Sequence, residues 1–190
     1  MGSKVQNIVL GVLTVCLISL TIIYARLTYK LDIRADNSLK SATWDIHFEN
    51  LKSDVIGSAK LSNNNQLAIM SDSTTIYGSV GNLYLPGDSI IYTFDIVNGG
   101  TIPAVLSISP TISIPECSSQ DLNMSNEICK NLDYRLTYSD GKEIMIGDFL
   151  DKDERKAAKL TLSLKETMSS VPSEEVEISN VAATLFYSQK

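Results

Sequence analysis

The sequence predicts an all-β protein, a two-sheet antiparallel β-sandwich preceded by one N-terminal hydrophobic helix. Three observations support this class: a long uncharged segment near the start, period-two alternation of apolar and polar residues after residue 30, and turn residues between the alternating runs. No sustained helical period occurs after residue 30, and Asp148–Arg155 is the one stretch there that we consider compatible with a helical turn. The expected order is therefore one helix followed by strands.

The first element is an uncharged segment long enough to reach across a membrane. Lys4 is followed by 21 uncharged residues, from Val5 to Ala25. As a helix at ~1.5 Å per residue, this segment extends about 30 Å, the thickness of the hydrocarbon core of a bilayer. The positions that we assign to the membrane segment include Ile8, Leu13, Leu20 and Ala25. We expect residues 1–27 to be a membrane anchor or a signal peptide, with the membrane as the partner of residues 5–25.

The sequence leaves open whether this segment is retained or cleaved. Ala25 is a suitable last residue before a signal-peptidase cut, whereas the apolar run is long for a signal peptide. Basic residues are more frequent after the segment than before it, which by the positive-inside rule would place the rest of the chain in the cytoplasm. We give more weight to the very short N-terminal tail and to the cysteines. Residues 28–190 are then a single extracellular domain, either held at the cell membrane or secreted.

The predicted domain is acidic. From residue 41 onward the chain has 11 Lys and Arg against 20 Asp and Glu, a net charge of −9. Such a surface repels phosphate backbones, so we expect no nucleic-acid partner. The length after the apolar segment, about 165 residues, suits one domain with its own core.

Alternation assigns the strands and the buried face of the predicted sandwich. We expect six apolar side chains in the core: Trp44, Ile46, Phe48, Phe94, Leu162 and Phe186. Their polar neighbours Asp45, His47 and Glu49 should face solvent. The predicted strands are 28–40, 43–51, 56–62, 66–71, 75–78, 80–85, 89–97, 102–113, 132–139, 142–147, 156–165 and 174–188.

Glycine and proline refine two of these assignments. Asp140-Gly141 lies between two alternating runs and predicts a hairpin with a type I′ turn. Three prolines lie in or just after the 102–113 run: Pro103, Pro110 and Pro115. Because proline lacks the amide donor of a sheet ladder, we expect 102–113 at a sheet edge or in a bulged strand.

The cysteines point to an oxidising compartment. Cys117 and Cys129 flank a polar segment that we interpret as a loop, and we expect them to form a disulfide. Closing a loop of about a dozen residues stabilises a fold by roughly 3 kcal/mol. Two free thiols in a cytosolic protein are the alternative. A zinc site is not expected because no further ligand lies nearby, and Cys16 lies within the apolar run.

Residues for catalysis are scarce. His47 is the sole histidine, and we expect it to be solvated and unpartnered, since no Gly-x-Ser-x-Gly nucleophile motif accompanies it. The acidic run Asp148–Glu154 could bind calcium, but it lacks the glycine and distal glutamate of an EF-hand, so an acidic turn is expected. We therefore predict no catalytic, cofactor-binding or metal-binding residue, no cofactor and no enzymatic activity.

One segment resembles a known group of proteins. Leu85–Ala104, with Pro-Gly-Asp, Tyr-Thr-Phe and Asn-Gly-Gly in order, is similar to a signature of bacterial surface β-sandwiches. It resembles camelysin/TasA-type biofilm proteins and conserved-repeat, Ig-like domains, and most closely uncharacterised exported proteins of Gram-positive bacteria. The tryptophan run Ala42–Phe48 and the tyrosine run Val181–Gln189 extend the resemblance. It implies an Ig-like or jelly-roll sandwich with a structural or adhesive role.

These expectations together describe an exported, membrane-associated cell-surface protein that is a structural or adhesion component, for example of a fibre or envelope. Self-association or binding to other surface proteins is the expected mode of action, with a contact between copies at residues 28–40. The alternatives are a camelysin-like metalloprotease, which would need a metal-binding HExxH helix that the sequence lacks, and a module that binds a glycan or peptide. Its tyrosines could present a carbohydrate-stacking surface, but at strand period we expect them to pack in the core or on a sheet face.

Overall fold

A computed structural model of the protein describes residues 2–35, 42–168 and 175–190, with side chains described for residues 9–25 of the first range. The chain divides into two units, Met1–Ser41 and Ala42–Lys190.

The first unit contains helix α1, Gly2–Ala35. Leu13, Leu20 and Ala25 are exposed on it. The predicted strand over 28–40 is wrong as far as residue 35, and residues 36–40 lie outside the described ranges. No glycine or proline interrupts residues 12–35, so the helix of the apolar run continues beyond it. Among the residues that the structure describes, no helix has both the length and the apolar character required to cross a membrane.

The second unit is mostly β and contains one short helix. Its strands are β1 Ile46–Ile56, β2 Lys60–Leu61, β3 Ala68–Ile69, β4 Thr75–Gly78, β5 Gly81–Asn82, β6 Ser89–Asn98, β7 Ala104–Leu106, β8 Thr111–Ile112 and β9 Glu116–Ser118. Helix α2, Leu122–Asn131, follows, and then β10 Leu132–Tyr138, β11 Phe149–Leu150, β12 Arg155–Leu164, β13 Glu177–Ser179, β14 Val181–Thr184 and β15 Tyr187–Gln189.

These strands form four antiparallel sheets. The largest has the order β1-β6-β12-β10, and the others are β11-β7-β15, β2-β5-β13-β9 and β3-β4-β14-β8. The two long central strands, β6 and β12, alternate between buried and more accessible residues along most of their length. Since successive side chains of a strand point to opposite faces, the large sheet covers the core with one face only.

The core confirms four of the six predicted buried residues. Ile46, Phe48, Phe94 and Leu162 are buried, and the rings of Phe48 and Phe94 lie 4.7 Å apart. The prediction was wrong for Trp44, which is 43% exposed, and for Phe186, which is 47% exposed. Trp44 precedes the first residue of β1, where the ladder with β6 has not begun. Phe186 follows Leu185, which takes the inward position.

Most predicted strands exist, although several are shorter. Run 75–78 matches β4, and runs 89–97, 132–139 and 156–165 match β6, β10 and β12 within one residue at each end. Run 102–113 divides into β7, which is central in its sheet, and β8, which lies at an edge as expected. The final run, 174–188, divides into β13, β14 and β15, and its first residue lies outside the described ranges.

The predicted hairpin at Asp140-Gly141 has a different turn. Residues 142–147 form no strand, and only the single bridge Thr137–Glu143 joins them to β10. The amide of Gly141 donates to Tyr138 O, and Gly141 alone has a positive φ in this turn. A type I′ turn needs positive φ at both central residues, so the turn is instead of the common type in which a left-handed glycine follows the two central residues.

Buried polar side chains fix both ends of β6. At its start, the Asp88 carboxylate accepts hydrogen bonds from Ser58 N at 2.8 Å, Ser58 Oγ at 2.7 Å, Tyr84 N at 2.9 Å and Leu85 N at 2.8 Å. Burial acts to raise the pKa of Asp88, but the hydrogen bonds from Ser58, Leu85 and Tyr84 outweigh it and hold this pKa below its ordinary value. Asp88 therefore ties the loop before β6 to the end of β1.

At the other end of β6, Asn98 has the corresponding role. Its side-chain amide donates to Ile102 O at 2.9 Å and to Leu150 O at 3.1 Å, and its oxygen accepts from Gly100 N at 3.0 Å. Asn98 is 1% exposed, so these are bonds that water cannot replace. The Pro-Gly-Asp and Asn-Gly-Gly parts of the sequence signature thus have structural roles in this chain.

Candidate binding cleft

A cleft of about 300 Å³ lies where three chain segments meet at one end of the β unit. Its walls are residues 44–46 before and at the start of β1, residues 72–74 between β3 and β4, and residues 185–187 between β14 and β15. Clefts of this size are at the lower end of the range that binds small molecules.

Two aromatic side chains are exposed at this cleft. Trp44 and Phe186 both line it, and nearly half of each side chain is accessible to solvent. They are the two residues that alternation wrongly placed in the core. Clefts that bind small molecules are lined by apolar and aromatic side chains with a few polar groups, so the two rings make this cleft a candidate site.

Backbone hydrogen bonds hold the three walls together. Phe48 N donates to Ser73 O at 2.6 Å, and Leu185 N donates to Thr74 O at 3.2 Å, so the turn lies between β1 and the segment after β14. Phe186 O accepts from both Ser107 N at 2.8 Å and Ser107 Oγ at 2.9 Å. The backbone that carries the cleft is therefore fixed by hydrogen bonds within the chain.

The turn itself is organised by a carboxylate. Asp72 Oδ1 accepts from Thr74 N at 3.2 Å and from Thr75 N at 3.0 Å, and Asp72 Oδ2 accepts from Thr75 Oγ1 at 2.7 Å. Ser73, within this turn, has a φ of 65°. A short side chain that bonds to the backbone of the following residues is a common way to stabilise a tight turn.

Polar groups complete the cleft. Asp45 and Asp72 line it and provide carboxylate oxygens, which accept hydrogen bonds. Tyr187 also lines it, and burial together with the carboxylates of Asp148 and Glu154 raises the pKa of its phenol. Neither Asp148 nor Glu154 lines the cleft, so the phenol belongs to the interior rather than to the cleft. The cleft therefore combines two accessible aromatic groups with carboxylate acceptors.

His47 lies next to the cleft. The sequence suggested that it has no partner, but the structure places it beside two carboxylates. It is half-buried, and its Nδ1 lies 2.8 Å from Asp45 Oδ1, while its Nε2 lies 3.7 Å from Glu49 Oε2. The expectation of an unpartnered histidine was wrong because alternation places all three side chains on one face, where they can contact each other. Both ring nitrogens face carboxylates, so in the described contacts neither activates a hydroxyl or thiol nucleophile.

The acidic run Asp148–Glu154 makes structural hydrogen bonds. Asp148 Oδ2 accepts from Tyr138 Oη and from Met145 N, both at 2.9 Å, and Glu154 Oε2 accepts from Asp151 N at 2.6 Å. The sequence of this run was compatible with a helical turn, but no helical turn forms: the run contains β11 and leads into β12. Within the described ranges, no group of three or more His, Cys, Asp or Glu side chains is placed to hold a metal ion.

The disulfide prediction is confirmed. Cys117 in β9 and Cys129 in α2 are bonded, with their Cα atoms 5.8 Å apart. The segment between them is not the loop that we expected, because α2 occupies most of it. Asp121 caps this helix by accepting from Asn123 N at 2.8 Å, and Ile128 is completely buried. The sequence did contain a signal for this helix, namely an aspartate suited to cap it and one apolar residue two turns later.

The remaining predicted site residues belong to the N-terminal unit. Leu13, Leu20 and Ala25 lie on α1, and the side chain of Ile8 is outside the described ones. Comparison of the chain with family models, with curated proteins and with solved structures finds no match. The resemblance to camelysin/TasA-type proteins therefore stays a prediction.

Proposed function

We propose that the protein is an exported cell-surface adhesion module that binds carbohydrate in the cleft between Trp44 and Phe186. The observation that carries the proposal is the exposure of both aromatic side chains at one cleft whose backbone is fixed by hydrogen bonds. The apolar face of a sugar ring stacks on an aromatic ring, and its hydroxyl groups bond to carboxylates such as those of Asp45 and Asp72. A peptide ligand is the second outcome that the test below distinguishes.

Export and membrane association form the other part of the proposal. The Cys117–Cys129 disulfide supports an oxidising compartment, and the acidic β unit suits an extracellular surface. Association with a membrane rests on the sequence of residues 5–25 alone. We further propose that the four sheets belong to the two layers of an Ig-like or jelly-roll sandwich, because every strand ladder is antiparallel and one hydrophobic core connects the sheets.

Ligand binding can be measured with the protein's own fluorescence. Trp44 is the sole tryptophan of the chain and lines the cleft, so a ligand that stacks there should change its emission directly. We would titrate the full-length protein with short oligosaccharides of glucose and of N-acetylglucosamine, and with unrelated peptides. Saturable change with one sugar series supports the proposal, whereas saturation with peptides alone, or no change with any probe, contradicts it.

A matched pair of variants then assigns the signal to the cleft. Phe186→Ala removes one aromatic wall and should weaken binding about tenfold or more, as for a central aromatic contact. Phe149→Ala is the control, since Phe149 is exposed to nearly the same extent, 44% against 47%, and does not line the cleft. Equal affinity of the two variants would show that the sugar binds elsewhere.

Export is tested separately in a bacterial host. Full-length protein with Cys16→Ala should resist a membrane-impermeant thiol reagent on intact cells until the disulfide is reduced, and should then be labelled. Protein that is labelled only after the cells are broken would contradict export.

A further inference from the structure

The large sheet has an open edge along β1, the strand on the far side of β6 from β12 and β10. β1 is the terminal strand of that sheet and pairs with β6 alone within it. The first part of its outer edge is covered, because Phe48 N donates to Ser73 O. A bulge between Glu49 and Lys52 then separates this part from residues 52–56, all of which are exposed. An edge strand of this kind presents backbone donors and acceptors to another strand.

The residues on this edge have complementary charges that are not paired in close contacts, although the charge of Lys52 contributes to lowering the pKa of Asp95. Within the described ranges, no ion pair includes Lys52 or Asp54. The described hydrogen bond of the Asp54 carboxylate is to the next amide, Val55 N, at 2.9 Å. Lys52 pairs with Thr93 and Asp54 with Ile91 on β6, so both charged side chains lie on the outer face of the sheet.

We propose that two copies of the protein associate through this edge, with β1 antiparallel to β1 of the second copy and a two-fold axis at Ser53. This register places Lys52 opposite Asp54 of the second copy, and Asp54 opposite its Lys52. On the core side it places Leu51, which packs against the core, opposite Val55 of the second copy. Opposite charges and apolar groups at directly opposed positions stabilise antiparallel pairs, and a two-fold contact makes every such pair twice.

The second copy follows from this self-complementarity. A different strand could satisfy the backbone groups, but only a strand with the same spacing of a cation and an anion satisfies both charges, and the chain itself supplies it. The product is a continuous sheet of eight strands, formed from the four-stranded sheet of each copy. The proposal is independent of carbohydrate binding, since residues 51–55 do not line the aromatic cleft.

Cysteine cross-linking tests the register. In full-length protein carrying Cys16→Ala, Ser53→Cys places the two new thiols opposite each other at the axis, so mild oxidation should give a covalent dimer. Arg135→Cys, on β10 at the other edge of the same sheet, is the control and should give little dimer. Equal cross-linking of both variants, or dimer only with Arg135→Cys, would overturn the proposal.

Charge exchange tests the pairing itself. Lys52→Asp places like charges opposite each other and should weaken self-association about tenfold, measured by sedimentation of the full-length protein in one detergent. Adding Asp54→Lys reverses the order of the charges and should restore association. A monomer at every concentration, or single and double variants with the same dissociation constant, would refute the contact. Sugar binding measured by Trp44 fluorescence should be unchanged in both, which separates this result from failure of the proposed function.

Discussion

Replacing Asp88 with asparagine should destabilise the β unit strongly although the two side chains have nearly the same shape. One carboxylate oxygen, Oδ1, accepts from Ser58 N, and the other, Oδ2, accepts from Ser58 Oγ, Tyr84 N and Leu85 N. An asparagine can keep an acceptor on only one of these sides. With its oxygen at the Oδ2 position, its NH₂ group faces the amide of Ser58, and two donors meet.

The magnitude follows from counting these contacts. An unsatisfied buried donor costs about 1–3 kcal/mol, and a bond to a charged acceptor is worth about 1 kcal/mol more than a bond to a neutral one. Because Ser58 and Leu85 are exposed, water offsets part of the loss. We therefore expect Asp88→Asn to reduce the free energy of unfolding by about 2–4 kcal/mol at neutral pH.

The pH dependence provides a second readout with a definite sign. The pKa of Asp88 in the folded state is below its ordinary value, so the unfolded chain binds the proton more tightly. The stabilisation is complete above the unfolded pKa of about 3.9 and is lost as the pH falls through the lower folded value. The difference in stability between the wild type and Asp88→Asn should therefore be constant from neutral pH to about pH 5 and decrease in more acidic solution.

Urea unfolding followed by circular dichroism measures these differences. Asp151→Asn is the matched control, because it removes the same charge from an exposed position and should change stability by less than about 0.5 kcal/mol. A variant Asp88→Asn within that same range of the wild type, or a stability difference that grows on acidification, would refute the assigned role of Asp88.

Three further outcomes are expected from the same unfolding assay. Asn98→Ala should destabilise by about 2–4 kcal/mol, because it leaves buried carbonyl and amide groups without partners, and a loss below 1 kcal/mol would contradict this. Replacing Cys117 and Cys129 together with serine should remove roughly 3 kcal/mol, so that an unchanged urea midpoint would contradict a stabilising role for the bond. Phe94→Ala should cost about 3–5 kcal/mol, whereas Trp44→Ala should cost less than about 1.5 kcal/mol, and the reverse order would show that the assigned burial is wrong.

Alternation of apolar and polar residues was sufficient to predict the central strands and a confirmed part of the core. β6 and β12 are long, paired on both sides and buried on one face, so their side chains alternate in burial along most of their length. The same rule failed for Trp44 because a side chain in phase with a strand is buried only where a neighbouring strand or layer covers it. The ladder begins two residues later.

Other features depend on contacts that one sequence does not display. The ten residues of α2 are mostly polar and were therefore interpreted as a loop, but the disulfide and the buried Ile128 supply the tertiary support that short helices need. The cleft requires three segments that are far apart in the chain to meet. Its two aromatic residues were visible in the sequence, but their exposure could be known only from the arrangement of the turn around residue 73.

The side chains at the two ends of β6 have a consequence for the evolution of such domains. Asp88 directly precedes β6 and Asn98 is its last residue, and each side chain bonds to the backbone of a loop. The two ends of the strand therefore hold the loops in place. A loop residue that contributes only its backbone amide or carbonyl to these bonds can be replaced by another residue without losing the bond. A chain that keeps this spacing of aspartate and asparagine can therefore keep the scaffold while the loops around it change, and proteins that share the spacing need not share a function.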